Sequence, residues 1–237
     1  MIVPISRIVK IIGISVADIR VEPKFESERD SQLIYGEEVQ VLSDHGEFVK
    51  IRGKDGLSGY VKMRLIDDGD RREFKLKHYY DAGTMKFPFG SYLSTSDVEK
   101  YKVPEDLLVK ITDYNFKVTE LSKMFLTIPY LWGGTSDFGF DCSGMVQRLY
   151  RFVGKEIPRN ADQQRDFTET VPDFDSAKPG DLVFFEGHVG LYLGDGKMIH
   201  ANGHSASVSV DDLFQESEYK KMLMSIFEKI GRVKNSL

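Results

Sequence analysis

The apolar residues of this chain change their period once along its length, and that change limits what it can fold into. From Ile2 to about Ile66 they fall in short β-prone runs at 7–14, 17–21, 38–42, 48–52 and 59–61. Asp44-His45-Gly46 and Lys54-Asp55-Gly56 are hairpin-type breakers between them. Residues 1–66 are therefore expected to form a small β-barrel. Residues 67–118 open on the charged stretch Asp67-Asp68-Gly69-Asp70-Arg71-Arg72, which reads as a linker, and continue with strand candidates at 73–80 and 85–93. They are expected to be a degenerate second β-module or a linker. After that a helical period takes over. A helix can open at 118–125, and 143–153 places Met145, Val146, Leu149, Tyr150 and Val153 at the three-and-four spacing of an amphipathic helix. Strand-like runs at 181–185, 189–193 and 197–200 follow, joined by Glu186-Gly187-His188 and Gly194-Asp195-Gly196. A helix followed by an antiparallel sheet makes 119–237 an α+β domain.

Composition removes several function classes. With 41% hydrophobic and 29% charged residues over 237 positions, the chain is an ordinary globular one. A net charge of −5 gives no broad basic field for nucleic acid or an anionic membrane surface, so small ligands or peptides are the expected partners and no obligate protein partner is inferred. The apolar run at 11–16 is too short for a signal-peptide core or a membrane span. One cysteine allows no intrachain disulfide and no CxxC-type metal or redox site, which fits a reducing compartment and a cytoplasmic protein.

That cysteine, Cys142, lies between Asp141, a good helix N-cap, and Ser143-Gly144, at the start of the helix through Leu149. The partial positive charge of a helix N-terminus favours thiolate, and its free N–H groups can serve an oxyanion. Of five histidines, His188 lies at a strand edge or hairpin and His200 ends the next strand, so pairing can bring them side by side. A polar partner on the second nitrogen fixes an imidazole's tautomer. A lone cysteine is more often a small buried hydrophobe, but polar and small neighbours are unusual for one. A metal site from Asp181, His188 and His200 has a thin ligand set and no His-x-x-x-His pair, and Gly133-Gly134-Thr135 lacks the Gly-Lys-Ser/Thr of a phosphate loop. No metal and no cofactor are expected.

Six ordered blocks carry a resemblance: Tyr130-Leu131-Trp132-Gly133-Gly134, Phe140-Asp141-Cys142-Ser143-Gly144, Ile157-Pro158-Arg159, Gly180-Asp181-Leu182-Val183-Phe184-Phe185, His188-Val189-Gly190 and Met198-Ile199-His200-Ala201. Over residues 119–237 the chain resembles the NlpC/P60 peptidases. The resemblance implies a papain-like α+β catalytic domain with Cys142 as nucleophile, His188 as base and His200 as the orienting residue. Arg20-Val21-Glu22-Pro23, Glu28 through Glu37, and Asp55-Gly56-Leu57-Ser58-Gly59-Tyr60-Val61 resemble bacterial SH3-type (SH3b) barrels, and Met85-Lys86-Phe87-Pro88-Phe89-Gly90-Ser91 resembles a fragment of a second one. The combination is similar to the YkfC-type γ-D-glutamyl-L-diamino acid endopeptidases, which cut murein stem peptides after L-Ala-γ-D-Glu. It implies substrate-binding roles for five further residues. Tyr130 would line the cleft and assist at the oxyanion, and Asp141 and Ser143 would flank the substrate, with Asp141 offering a carboxylate to the L-Ala ammonium. Glu28 and Tyr60 would complete that ammonium pocket. Departures are Asn160-Ala161 where relatives carry Asp or Thr then Ser or Ala, Leu57 at an often aromatic position, and Tyr60 in place of a common Trp. The same triad also serves other murein amidases and acyltransferases, and a peptide- or wall-binding module without activity is the reading from another class.

Overall fold

A computed structural model of the protein describes residues 9–234. The chain divides into two compact units, one ending at Tyr114 and the other beginning at Asn115.

The first unit opens with β1 (Val9–Ile12), β2 (Val16–Arg20), β3 (Arg29–Ile34), β4 (Gln40–His45), β5 (Phe48–Arg52) and β6 (Ser58–Lys62). A strand was expected over 7–14; its first two residues lie outside the described ones. Strands β3-β2-β6-β5-β4 form one antiparallel sheet, closed over Ile12, Ala17, Ile19, Leu33, Val49, Ile51 and Val61. β3 escapes a reading of hydrophobic runs because Arg29 to Gln32 are polar. Asp18 accounts for it by accepting Arg29 Nε at 2.7 Å, Gln32 Nε2 at 3.0 Å and Arg20 Nη2 at 2.8 Å. The expected linker at 67–72 does not begin as one. β7 (Ile66–Gly69) pairs with β1, and Lys10 Nζ meets Asp68 Oδ1 at 2.8 Å. Beyond it come β8 (Phe74–Leu76), β9 (Tyr80–Asp81), β10 (Lys86–Phe87), β11 (Tyr92–Leu93), α1 (Thr95–Tyr101) and β12 (Leu108–Lys110). Strands β11-β8-β12 make a small sheet, and Leu76, Phe87, Leu93 and Val103 gather around Tyr35 into a separate apolar cluster.

The second unit contains α2 (Val118–Ser122), β13 (Thr135–Ser136), β14 (Gly139–Phe140), α3 (Cys142–Phe152), α4 (Ala161–Phe167), β15 (Glu169–Val171), β16 (Leu182–Phe185), β17 (His188–Gly194), β18 (Lys197–Asn202), β19 (Ser207–Asp212), α5 (Glu218–Ser225) and β20 (Phe227–Arg232). Its six-stranded antiparallel sheet runs β15-β20-β16-β17-β18-β19, and α3 packs against β17 and β18. Met145, Val146 and Leu149 are fully buried; each such side chain contributes roughly 1.5–3 kcal/mol. The spacing suggests an amphipathic helix, yet every residue of α3 is buried. Its polar face is covered and satisfied, with Arg148 Nε donating to Thr135 O at 2.9 Å and Gln147 Nε2 to Ile157 O at 3.1 Å.

Candidate active site

The start of α3 is built by the residues around the cysteine. Asp141 is the N-cap, accepting from Gly144 N at 2.7 Å through Oδ1 and from Gly133 N at 2.9 Å through Oδ2. Gly144 is required: a Cβ there would come within 2.2 Å of the Gly134 carbonyl oxygen, and a Cβ on Gly134 within 2.4 Å of that of Gly139. The loop thus folds tightly back on the helix and leaves Cys142 in its first turn, 8% exposed.

Arg159 completes this cap. Its Nη1 donates to Asp141 Oδ1 at 3.0 Å and to Ser143 Oγ at 2.9 Å, and its Nη2 to Asp141 Oδ2 at 2.5 Å. Gln164 Nε2 donates to Ser143 O at 3.0 Å. Asp141 and Ser143, expected to flank the substrate, are thus also the residues that cap the helix carrying Cys142. Four short hydrogen bonds reach the Asp141 carboxylate, and a guanidinium neutralises it. The Ser143 hydroxyl is likewise buried on Arg159. Both residues hold the nucleophile's helix in place.

Strand pairing brings the histidines together. His188 opens β17 and His200 lies on β18, and His188 Nε2 stands 2.7 Å from His200 Nδ1. His200 Nε2 in turn stands 2.7 Å from Asp211 Oδ2. His200 pairs with Ser209 in the β18-β19 ladder, so Asp211 is the same-face diagonal neighbour, within reach of a long side chain. On its other side the Asp211 carboxylate forms an ion pair with Lys220 Nζ of α5. The cysteine lies near this edge, since the N–H groups of Val189, next to His188, and of Ser143 are close enough to favour its thiolate. Tyr130, half-buried, is close enough to Cys142 and Asp141 that their charges add to burial in pushing its hydroxyl up to about 12. Cys142, His188, His200, Tyr130, Asp141 and Ser143 all belong to the second unit. Glu28 and Tyr60 belong to the first: Glu28 is exposed and receives a backbone hydrogen bond from Val21 N at 3.1 Å, and Tyr60 on β6 packs edge-on against His45. Asp181, weighed as a metal ligand, is locked to Arg232 by contacts of 2.7 and 2.6 Å.

The electrostatics overturn one expectation. Burial, aided by the Asp141 charge, pushes the Cys142 thiol up to about 11, against the opposing pull of the Val189 and Ser143 N–H groups and Arg159. The helix terminus does not win. Burial, with the neighbouring His200, lowers His188 to about 3, and burial also lowers His200. Near neutral pH the resting pair is therefore a thiol beside a neutral imidazole, and the proton moves as the sulfur attacks. Arg159, Gln164, Asp211 and Lys220 received no role from sequence. Arg159 stands in a quoted block, and the alternation of Ser207-Val208-Ser209-Val210-Asp211 was a strand signal left unused.

A buried thiol at a helix start, facing histidines on an antiparallel sheet, defines the papain-like class of cysteine peptidases. The NlpC/P60 family model matches residues 127–227, and that of the bacterial dipeptidyl-peptidase SH3 domain matches residues 19–64. The chain is 42% identical over 242 residues to the γ-D-glutamyl-L-lysine dipeptidyl-peptidase of Bacillus subtilis, covering 83% of this chain and 79% of that one. It is 25% identical to dipeptidyl-peptidase 6 of Lysinibacillus sphaericus, over 91% of this chain and 96% of that one. Among solved structures, an NlpC/P60 family protein from Bacillus cereus superposes with a TM-score of 0.77, over 94% of this chain and 99% of that one, at 20% identity. The chain belongs to the NlpC/P60 family of cysteine peptidases, with a bacterial SH3 domain at its N-terminal end.

Proposed function

We propose that the protein hydrolyses the amide bond between γ-D-Glu and an L-diamino acid in murein stem peptides that begin with a free L-Ala. The observation that carries the proposal is the His188–His200 pair on the strand edge whose Val189 N–H acts on the Cys142 thiol, on a chain whose 42%-identical relative is named for the γ-D-glutamyl-L-lysine bond. The thiol proton passes to His188 as the sulfur attacks the γ-carbonyl carbon. The oxyanion draws on the N–H of Cys142, free of a helical acceptor in the first turn, and on the Tyr130 hydroxyl. The tetrahedral intermediate collapses, the C–N bond breaks, and His188 returns the proton to the departing diamino acid. Water, deprotonated by His188, then hydrolyses the thioester to free L-Ala-γ-D-Glu and restores the thiol. Asp141, Glu28 and Tyr60 are assigned to the L-Ala ammonium on resemblance alone. A requirement for a free amine suits released peptides better than intact wall, so recycling or scavenging of fragments in the cytoplasm belongs to the same proposal.

The test compares L-Ala-γ-D-Glu-diaminopimelate with its N-acetylated form. A blocked amine leaves carboxylate unpaired at a cost of a few kcal/mol, about a hundredfold or more in kcat/KM. Equal cleavage of the two would make the enzyme a general murein endopeptidase.

A further inference from the structure

The carboxylate and ammonium behind the histidine pair have no role in the chemistry above. We propose that Asp211, itself held by Lys220, is a positioning residue that fixes which nitrogen of each imidazole carries a proton, leaving His188 Nδ1 as the lone pair that takes the thiol proton. The proposal rests on the thiol-imidazole reading and extends it by two residues.

The argument runs inward from the carboxylate. The hydrogen bond from His200, together with Lys220, lowers the Asp211 carboxyl to about 2, so it is ionised and can only accept. The nitrogen 2.7 Å away, His200 Nε2, must therefore carry a proton. Burial keeps His200 neutral, which leaves its Nδ1 as a lone pair. His188 Nε2, 2.7 Å from that lone pair, must donate to it. His188 is neutral too, so its Nδ1 is unprotonated. A single half-buried charge thus orders two rings in series.

Two further groups act on His200. Asn202 Nδ2 lies 3.1 Å from His200 Nε2 and carries two hydrogens, one of which goes to Ser209 Oγ at 2.8 Å, while Asn202 Oδ1 accepts from Ser205 N at 2.8 Å. Its second hydrogen competes with Asp211 for His200 Nε2, at 3.1 Å against 2.7 Å, and the shorter contact, to an ionised carboxylate, decides the tautomer. Lys220 is 6% exposed, and its ammonium also lies 4.8 Å from the ring centroid of Tyr219. Its charge opposes that of Asp211 in setting the affinity of His200 for a proton. Without Lys220, Asp211 would raise the affinity of His200 for a second proton, on Nδ1, against the larger opposing effect of burial. The new Nδ1–H would then point at His188 Nε2, and the relay would be reversed, with a proton on the nitrogen meant to act as base.

The direct test needs no variant. Long-range 15N–1H correlation spectra of the wild-type protein at pH 7 should show both His188 and His200 as Nε2–H tautomers; His188 as the Nδ1–H tautomer overturns the assignment. Variants give a second route. Alkylation of Cys142 by iodoacetamide and peptide hydrolysis are followed from pH 5 to 9. Asp211→Asn loses the anion, and its amide can donate to His200 Nε2 and invert both rings. It should slow alkylation and kcat by about a hundredfold, the scale of losing a general base, with KM within twofold. Asp211→Glu should recover part of the loss, and Lys220→Met should move the acid limb of both profiles to higher pH. Alkylation within twofold of wild type in a natively melting Asp211→Asn protein would refute the proposal. The spectra and the alkylation involve no peptide, so inert substrates would sink the proposed specificity without touching this assignment.

Discussion

Removing the Arg159 guanidinium should do more damage than removing any one apolar residue near the site. In Arg159→Met the Asp141 carboxylate, 7% exposed, keeps its bonds to Gly133 N and Gly144 N but loses two charge-assisted ones and its countercharge in the cap. Breaking one side of a buried ion pair costs roughly 3–5 kcal/mol, mostly because the surviving charge is left uncompensated. For a unit of about 120 residues, this lowers the midpoint of its thermal transition by roughly 10–20 °C. Differential scanning calorimetry reads that transition directly. The double variant Arg159→Met/Asp141→Asn removes the stranded charge and should regain at least half of the loss. A single variant melting within about 3 °C of wild type, or a double variant less stable than the single, would refute the idea that Arg159 neutralises a buried carboxylate.

Three further outcomes follow from the same geometry. Gly144→Ala should remove activity and destabilise the second unit, because its Cβ would meet backbone oxygen that cannot swing aside; unchanged melting and turnover would contradict the packing. His188 has a folded value near 3 against an ordinary 6.5, so the unfolded chain binds more protons below pH 6.5 and stability falls with acidity over that window. The loss at pH 5 is up to about 2 kcal/mol, measurable by urea titration, and should shrink in His188→Gln. Glu28→Ala should raise KM for the free-amine peptide and narrow its advantage over the acetylated one, leaving Cys142 alkylation unchanged; an unaltered ratio would remove Glu28 from ammonium recognition.

How much of this could be seen in the sequence varied with the range of the interactions. The barrel strands with apolar runs and α3 were legible because their patterns are local. β3 was not, because its polar residues are held by Asp18, a partner eleven to fourteen positions away. The nucleophile and both histidines stood out by type, order and neighbours. The direction of the thiol's shift did not, since a sequence shows the helix start but not how deeply the sulfur is buried. The cap around Asp141 was hidden for the same reason: nothing local says that Arg159, eighteen residues on, will pair with it. Lys220 is hidden because a helical lysine is normally a solvated one, and only the fold reveals that this one is buried against Asp211.

The most direct measurement is mass spectrometry of L-Ala-γ-D-Glu-diaminopimelate after incubation with the wild-type protein and with Cys142→Ala. The wild type should release L-Ala-γ-D-Glu and free diaminopimelate, and the variant, folded but lacking its sulfur, should release neither. Cleavage at another bond, no cleavage by the wild type, or even a tenth of wild-type turnover in Cys142→Ala would contradict a cysteine peptidase acting at the γ-D-glutamyl bond.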